Sequence, residues 1–320
     1  MTHQGGSQVV LTHHGLRLMT LIDFILNLAA LLLWFNWRAA RIDPLATATP
    51  STLAGTLRRA GKTTFAGWHL PAAISVLIFV RGIFYWLIGT AVPWTGTLDV
   101  GVISVPFRSD LFGRMLLYSM LSFAMALTVF FIWLILLSSL MPATAEVAPL
   151  RGLLRSQLGR VERWPWGIKL LLPFLLVTTA WWLVSWPLTY AEILPRPGSV
   201  AQRTEQALLV GLGSYLAGKV LIGGALGLYL VSSYIYFGRH PFWQQLDEVS
   251  RRLLVPLRRL PLRLGKVDFA PVLGIGLAFL LAHMVENGIR TAPRKDATGR
   301  PQARLLEIPG LVELYQRVAK

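Results

Sequence analysis

The chain has 320 residues, a formal net charge of +16 and no cysteine. Hydrophobic residues make up 54% of it, charged residues only 14%, and the mean hydropathy is +0.55. This composition excludes an ordinary soluble domain, and the absence of cysteine excludes disulfides, thiolate metal sites and covalent haem attachment.

Six apolar stretches are each long enough to cross a bilayer, whose hydrocarbon core of about 30 Å needs about 20 helical residues. Helices are expected because every backbone polar group must find its partner within the membrane. The stretches lie at 16–37, 70–91, 115–140, 168–188, 207–237 and 269–285. The predicted fold is therefore all-α, a polytopic membrane helix bundle with about six transmembrane helices.

The connectors between alternate spans repeat one pattern. Leu257-Arg258-Arg259 and Pro271 follow Leu57-Arg58-Arg59 and Pro71 by 200 positions, and Pro149-Leu150-Arg151 opens the connector between the third and fourth spans. Internal repetition of this kind indicates repeated structural units. We predict three helix–amphipathic connector–helix hairpins at 16–91, 92–188 and 189–288. They are preceded by an external N-terminal segment, 1–15, and followed by a polar basic tail, 289–320.

Basic residues are concentrated in alternate connectors. Those after the first, third and fifth spans hold five, four and seven Lys and Arg residues, whereas the N-terminal segment holds none and the other two connectors at most two each. The positive-inside rule places the basic connectors in the cytoplasm and the N-terminus outside. The C-terminal tail does not fit this pattern: after six spans it should lie outside, yet it contains seven basic residues.

Ionisable residues within the spans are the main candidates for polar sites. An isolated charge at membrane depth costs about 2.5–3.5 kcal/mol on insertion scales, so partners are expected. We predict that Asp23 pairs with Arg81 and that Lys219, in mid-helix, pairs with Glu286, which lies beside His283. Two interpretations stay open: structural ion pairs that tie each hairpin together, or a polar path for protons or ions. Gly223 and Gly227 have the spacing for close helix approach.

The connector before the sixth span has the periodicity of an interfacial helix. Apolar residues from Phe242 to Leu253 recur every three or four positions, so we expect the apolar face to enter the acyl boundary. Asp268, and Glu162 in the previous repeat, are expected to cap the helices that follow. Basic residues of the connectors are candidates for binding anionic headgroups or a partner protein: Arg58, Arg59, Arg151, Arg251, Arg252, Arg258 and Arg259.

The sequence does not indicate an enzyme. It has no catalytic triad, paired-carboxylate site or acidic metal cluster, and its six histidines lack ligand spacing. We therefore expect no metal and no cofactor. Because the basic residues border membrane spans, we expect no direct contact with nucleic acid.

The last connector resembles the signature of the YggT family of bacterial integral membrane proteins. The motif residues are Pro256, Leu257, Arg258, Arg259, Gly265, Asp268, Phe269 and Pro271. Relatives resemble this chain in their tandem hairpins, although two hairpins are usual and this chain has a third. The resemblance implies a protein of the bacterial cytoplasmic membrane without catalysis, linked to envelope or division processes or to assembly of membrane complexes. We expect a scaffold or assembly factor; the alternative is a small channel or transporter for osmotic or ion homeostasis.

Overall fold

The computed structural model describes residues 5–42, 68–91, 94–141, 149–235, 241–257, 263–264, 267–290 and 307–319. Six helices in these ranges are long and apolar enough to cross a membrane, so the prediction of an all-α, six-span protein is confirmed. The candidate spans are Met19–Arg38, His69–Ala91, Phe112–Leu140, Trp166–Tyr190, Val200–Tyr234 and Ala270–Asn287.

Ten α-helices follow one another along the described chain. They are α1 (Gly5–Ile42), α2 (His69–Ala91), α3 (Phe112–Leu140), α4 (Pro149–Leu158), α5 (Trp166–Tyr190), α6 (Val200–Gly213), α7 (Gly218–Tyr234), α8 (Pro241–Leu253), α9 (Ala270–Asn287) and α10 (Leu311–Ala319). Short 3-10 helices cover Gly159–Arg163 and Ser214–Ala217. The spans are formed by α1, α2, α3, α5, α6 with α7, and α9, while α4 and α8 are the helices of two connectors.

Among the described residues, three small two-stranded sheets lie between the helices. β1 (Thr95–Asp99) and β2 (Ser104–Arg108) connect α2 to α3, and the residues of both strands alternate between exposed and buried. β3 (Arg263–Leu264) and β4 (Val267–Asp268) precede α9, while β5 (Gly288–Arg290) and β6 (Glu307–Pro309) follow it. Both of these later pairs are antiparallel.

The chain divides into two compact units. The first comprises Met1–Leu98 and Pro106–Leu127, and its apolar core brings together Ala30, Ile74 and Phe123 from α1, α2 and α3. The second comprises Asp99–Val105 and Thr128–Lys320. Two of its clusters join a connector helix to the spans, so the connectors are part of the hydrophobic core.

The fifth span begins earlier than its hydrophobicity predicts, at Val200 instead of 207. Ser199 is the N-cap, and its hydroxyl accepts a hydrogen bond from the Gln202 backbone N–H at 3.1 Å. The Gln202 side chain accepts in turn from the Gly198 N–H at 2.6 Å. This capping satisfies the Gln202 N–H, one of those that a helix start leaves without partners, and also the N–H of Gly198 just before the N-cap. Polar residues can therefore extend the helix beyond the apolar stretch.

Candidate functional site

A polar network crosses the first unit at membrane depth. The Arg81 guanidinium of α2 pairs with the Asp23 carboxylate of α1, as predicted. It also donates to Asn27 Oδ1 at 2.7 Å, to the Tyr85 hydroxyl at 3.0 Å and to Ser122 Oγ of α3 at 2.7 Å. The Arg81 side chain is only 2% exposed. Three spans are therefore joined through one buried cation.

Further hydrogen bonds of the network are made to the Asp23 carboxylate. Tyr85 donates to its Oδ1 at 2.8 Å, and Ser122 donates to its Oδ2 at 3.1 Å. A buried charge is tolerated when a counter-ion and further hydrogen bonds replace its water. The contacts of Asp23 and Arg81 meet that requirement, and this arrangement favours a structural role over a path for ions.

The second predicted pair is present in the second unit. Lys219 Nζ lies 3.1 Å from Glu286 Oε2, and the two side chains are 30% and 29% exposed. Glu286 is the penultimate residue of α9, so the pair lies near the end of the sixth span, as predicted for Glu286. Lys219 is the twentieth of the 35 residues of the fifth span, Val200–Tyr234, so its predicted mid-helix position is confirmed. His283 contacts the Asn287 side-chain nitrogen at 2.9 Å.

The connector helices α4 and α8 pack against each other, and we call them the shelf. Leu154 and Leu158 of α4 are buried in a cluster with Leu134 and Ile135 of α3. The connector of α8 is anchored in the same way. Its residues Leu254 and Leu257, just after α8, are buried in a cluster with Leu226 of α7 and Ala270 of α9.

The apolar face of α8 therefore packs on protein. Leu246 and Val249 are 8% and 3% exposed, which contradicts the expectation that this face enters the acyl boundary. Burial against the apolar surface of the spans removes Leu246 and Val249 from water as effectively as burial in lipid would. The predicted helix itself is confirmed, since α8 covers Pro241–Leu253.

The outward face of the shelf carries paired charges. Arg251 lies 2.8 Å from Asp247, and Arg252 lies 3.8 Å from Glu248, each one helical turn away. The hydrogen bond and charge of Asp247 hold the pKa of Arg251 above its usual value. Arg252 also donates to the Leu140 carbonyl of α3 at 3.3 Å. These arginines are exposed, but their charges are partly balanced within α8.

Glu162 does not lie at the start of the following helix as predicted. It belongs to the 3-10 helix Gly159–Arg163, and its carboxylate is 3.5 Å from Arg155 of α4. The N-cap of α5 is Pro165, three residues further along. The inserted 3-10 turn displaces the acid from the capping position. The backbone of Arg151 lies in α4, while its side chain and all of Arg58, Arg59, Arg258 and Arg259 lie outside the described residues.

The motif residues before the sixth span make a tight connection. Asp268 Oδ1 accepts from the Ala270 N–H at 3.0 Å, which confirms the predicted capping role, while Phe269 is the N-cap residue. Pro271 occupies the first turn of α9, where its missing N–H costs nothing. Leu257 is buried and faces Gly274 of α9. Pro256 follows the end of α8, and Gly265 lies outside the described residues.

The small residues that permit close approach differ from those predicted. A methyl group on Gly223 would lie 2.8 Å from the Phe279 ring, whereas one on Gly227 would meet nothing within 4 Å. The expectation that the two act together is therefore wrong. Gly274 is enclosed by more neighbours, since an added methyl would lie 2.9 Å from Leu226, 3.1 Å from Leu254 and 3.4 Å from Leu257. It was not identified from sequence because its neighbours come from separate elements.

Within the described ranges, no group of three or more His, Asp or Glu side chains is placed to hold a metal ion. Comparisons of the chain with protein-family models, with characterised proteins and with solved structures find no match.

Proposed function

We propose that this integral membrane protein is a non-enzymatic scaffold or assembly factor of YggT type, whose docking surface is the outward face of the shelf. The observation that carries the proposal is the anchoring of α4 and α8 through buried leucines on the spans. A helix held in this way presents its polar face in a fixed orientation, and such pre-organisation lowers the cost of binding.

The charge pattern of the shelf supports two kinds of partner. Arg155, Arg251 and Arg252 have side chains 68%, 59% and 45% exposed, within reach of headgroups where the connectors meet the spans. Anionic lipid therefore contributes up to about 1 kcal/mol for each unpaired cation near the surface. Because Asp247 and Glu248 offset part of this charge, we propose a membrane-protein partner with complementary polar groups as the specific ligand.

A channel or small transporter is the second candidate, and one observation favours it. The side chains of Lys219 and Glu286 are 30% and 29% exposed, so the protein does not fully enclose either charge. Against this reading, Glu286 lies at the end of the sixth span, and the Asp23–Arg81 charges are enclosed by hydrogen-bond partners.

We further propose that the protein resides in a bacterial cytoplasmic membrane with the shelf in the cytoplasm. The distribution of Lys and Arg among the connectors supports this orientation. The N-terminus then lies outside, and lipid headgroups of the inner leaflet surround the shelf.

Photo-crosslinking combined with flux measurement tests the scaffold proposal. A photoreactive residue at Gln244 or Arg252 of the shelf should form a discrete protein adduct in native membranes, whereas one at the lipid-facing Leu280 should not. Proteoliposomes of the unmodified chain should show ion flux at the level of protein-free vesicles.

The control for flux removes both charges of the accessible pair at once. A Lys219→Met, Glu286→Met double variant leaves no unpaired charge in the membrane, so it should remain folded. Flux through the unmodified protein that disappears in this variant, together with equal crosslinking at Gln244 and Leu280, would replace the scaffold by the channel.

A further inference from the structure

The C-terminal segment folds back onto the end of the sixth span. α9 ends at Asn287, and Gly288 then adopts a φ of +78°, in the region that favours glycine. β5 and β6 pair antiparallel, with Gly288 opposite Pro309 and Arg290 opposite Glu307. The chain therefore leaves the membrane span through one strand and returns to the same place through the other.

A second glycine allows α10 to approach the end of α9. A methyl group on Gly310 would lie 2.4 Å from the Glu286 carbonyl oxygen and 2.4 Å from the Asn287 carbonyl carbon. Both neighbours are backbone atoms, which cannot move aside as a side chain can. Only glycine fits at this position, so the approach depends on the identity of the residue.

The helix α10 is docked on two spans. It packs against α6 and α9, and the Gln202 side-chain amide donates to the Val318 carbonyl at 2.6 Å. Tyr315, at the centre of α10, is 6% exposed, and its burial raises the pKa of the phenol to about 12. Gln316 and Arg317 point away from the contact and are exposed.

The docking determines the side of the membrane on which the tail lies. α9 starts next to the shelf, where Ala270 packs with Leu254 and Leu257, and it ends at Asn287, next to β5. A helix of 18 residues is about 27 Å long, close to the thickness of the hydrocarbon core. The docked segment and the shelf therefore lie on opposite faces.

We propose that Glu307–Ala319 is an extramembrane latch on the face opposite the shelf, which holds the outer ends of the fifth and sixth spans together above the Lys219–Glu286 pair. The latch contacts the fifth span through Gln202 and the sixth through the turn at Gly288 and Gly310.

Cysteine accessibility tests the latch cleanly because the chain has no cysteine of its own. In proteoliposomes, Tyr315→Cys should react with a maleimide at least tenfold more slowly than Gln316→Cys, its exposed neighbour. Adding Gly310→Ala should speed labelling of Tyr315→Cys toward the Gln316→Cys rate. Gly227→Ala, whose added methyl meets nothing within 4 Å, should leave the rate unchanged.

A membrane-impermeant maleimide then tests the side. Gln316→Cys should be labelled from the face opposite to that which labels Gln244→Cys of the shelf. Labelling of both from one face would overturn the assignment of the latch to the opposite side. Equal rates for the two cysteines have two explanations: α10 is not docked in the native protein, or Tyr315→Cys itself displaces it. Hydrogen exchange of the α10 backbone amides in a chain that keeps Tyr315 separates the two. Gln202→Ala, which removes the bond to Val318, should raise this exchange, and unchanged exchange would overturn the latch.

Discussion

Replacing Arg81 by leucine should lower the free energy of unfolding by roughly 3–5 kcal/mol, since removal of one partner leaves a buried charge without compensation. Asp23 would then retain only neutral donors, and the carboxylate has little access to water because its side chain is 22% exposed. Reversible unfolding in mixed micelles, monitored by circular dichroism, measures the change.

The double-mutant cycle separates the pair from simple loss of packing. In an Asp23→Asn background the same Arg81→Leu change should cost less, because no unpaired carboxylate is left behind. The coupling should amount to roughly 1–3 kcal/mol, the range found for contacting residues. Strict additivity of the two changes would exclude the pair as a source of stability. Tyr85→Phe should lower the free energy of unfolding by an intermediate amount, since it removes one hydrogen-bond donor to Asp23 and keeps the aromatic ring.

Replacing Gly274 by valine should destabilise the second unit by roughly 1–3 kcal/mol through overpacking. Even one added methyl would lie 2.9 Å from Leu226, 3.1 Å from Leu254 and 3.4 Å from Leu257. Leu254 and Leu257 belong to the connector, so we expect the connector to be displaced from α9. Limited proteolysis within the connector, together with unfolding in micelles, should report this displacement.

Gly276 provides a matched control two residues further along the same helix. A methyl group there would meet nothing within 4 Å, so Gly276→Val has the same intrinsic helix propensity change and no clash. It should leave both proteolysis and unfolding close to those of the unmodified protein. Equal destabilisation by the two substitutions would assign the effect to helix propensity and contradict the packing of the shelf on α9.

The spans and their principal charge pairs could be predicted because each depends on local composition or on the high cost of an isolated charge. The six apolar stretches needed only length and hydropathy. The partners of Arg81 and Lys219 followed from the scarcity of acidic residues at membrane depth. The capping role of Asp268 was visible in its position before Pro271.

The neutral members of the polar network were harder to predict. Asn27 and Tyr85 lie four residues after Asp23 and Arg81, a spacing that places them on the same helix faces, so this signal was present in the sequence. Ser122 comes from a third span and has no local signature. Its role depends on how α3 packs in the first unit, which hydropathy does not specify.

The contacts of the amphipathic helices could not be derived from their periodicity. An apolar face can be buried equally well in lipid or against a neighbouring helix, and the pattern of α8 is the same in both cases. The early start of the fifth span did have a signature, the Ser199-to-Gln202 capping spacing. The docking of α10 had none, because it depends on the backbone turn at Gly288 and the close approach at Gly310.

The central claim is a six-span protein for which we propose that the basic connectors, including the shelf, lie on the cytoplasmic face, and labelling of single cysteines in intact cells tests it most directly. Ser104→Cys and Ala201→Cys, both at exposed positions, should react with an impermeant maleimide before lysis. Gly152→Cys and Gln244→Cys of the shelf should react only after lysis. Labelling of Gly152→Cys or Gln244→Cys before lysis would contradict the proposed orientation. Labelling of Ser104→Cys and Gln244→Cys at the same stage, both before lysis or both only after it, would contradict the placement of their connectors on opposite faces.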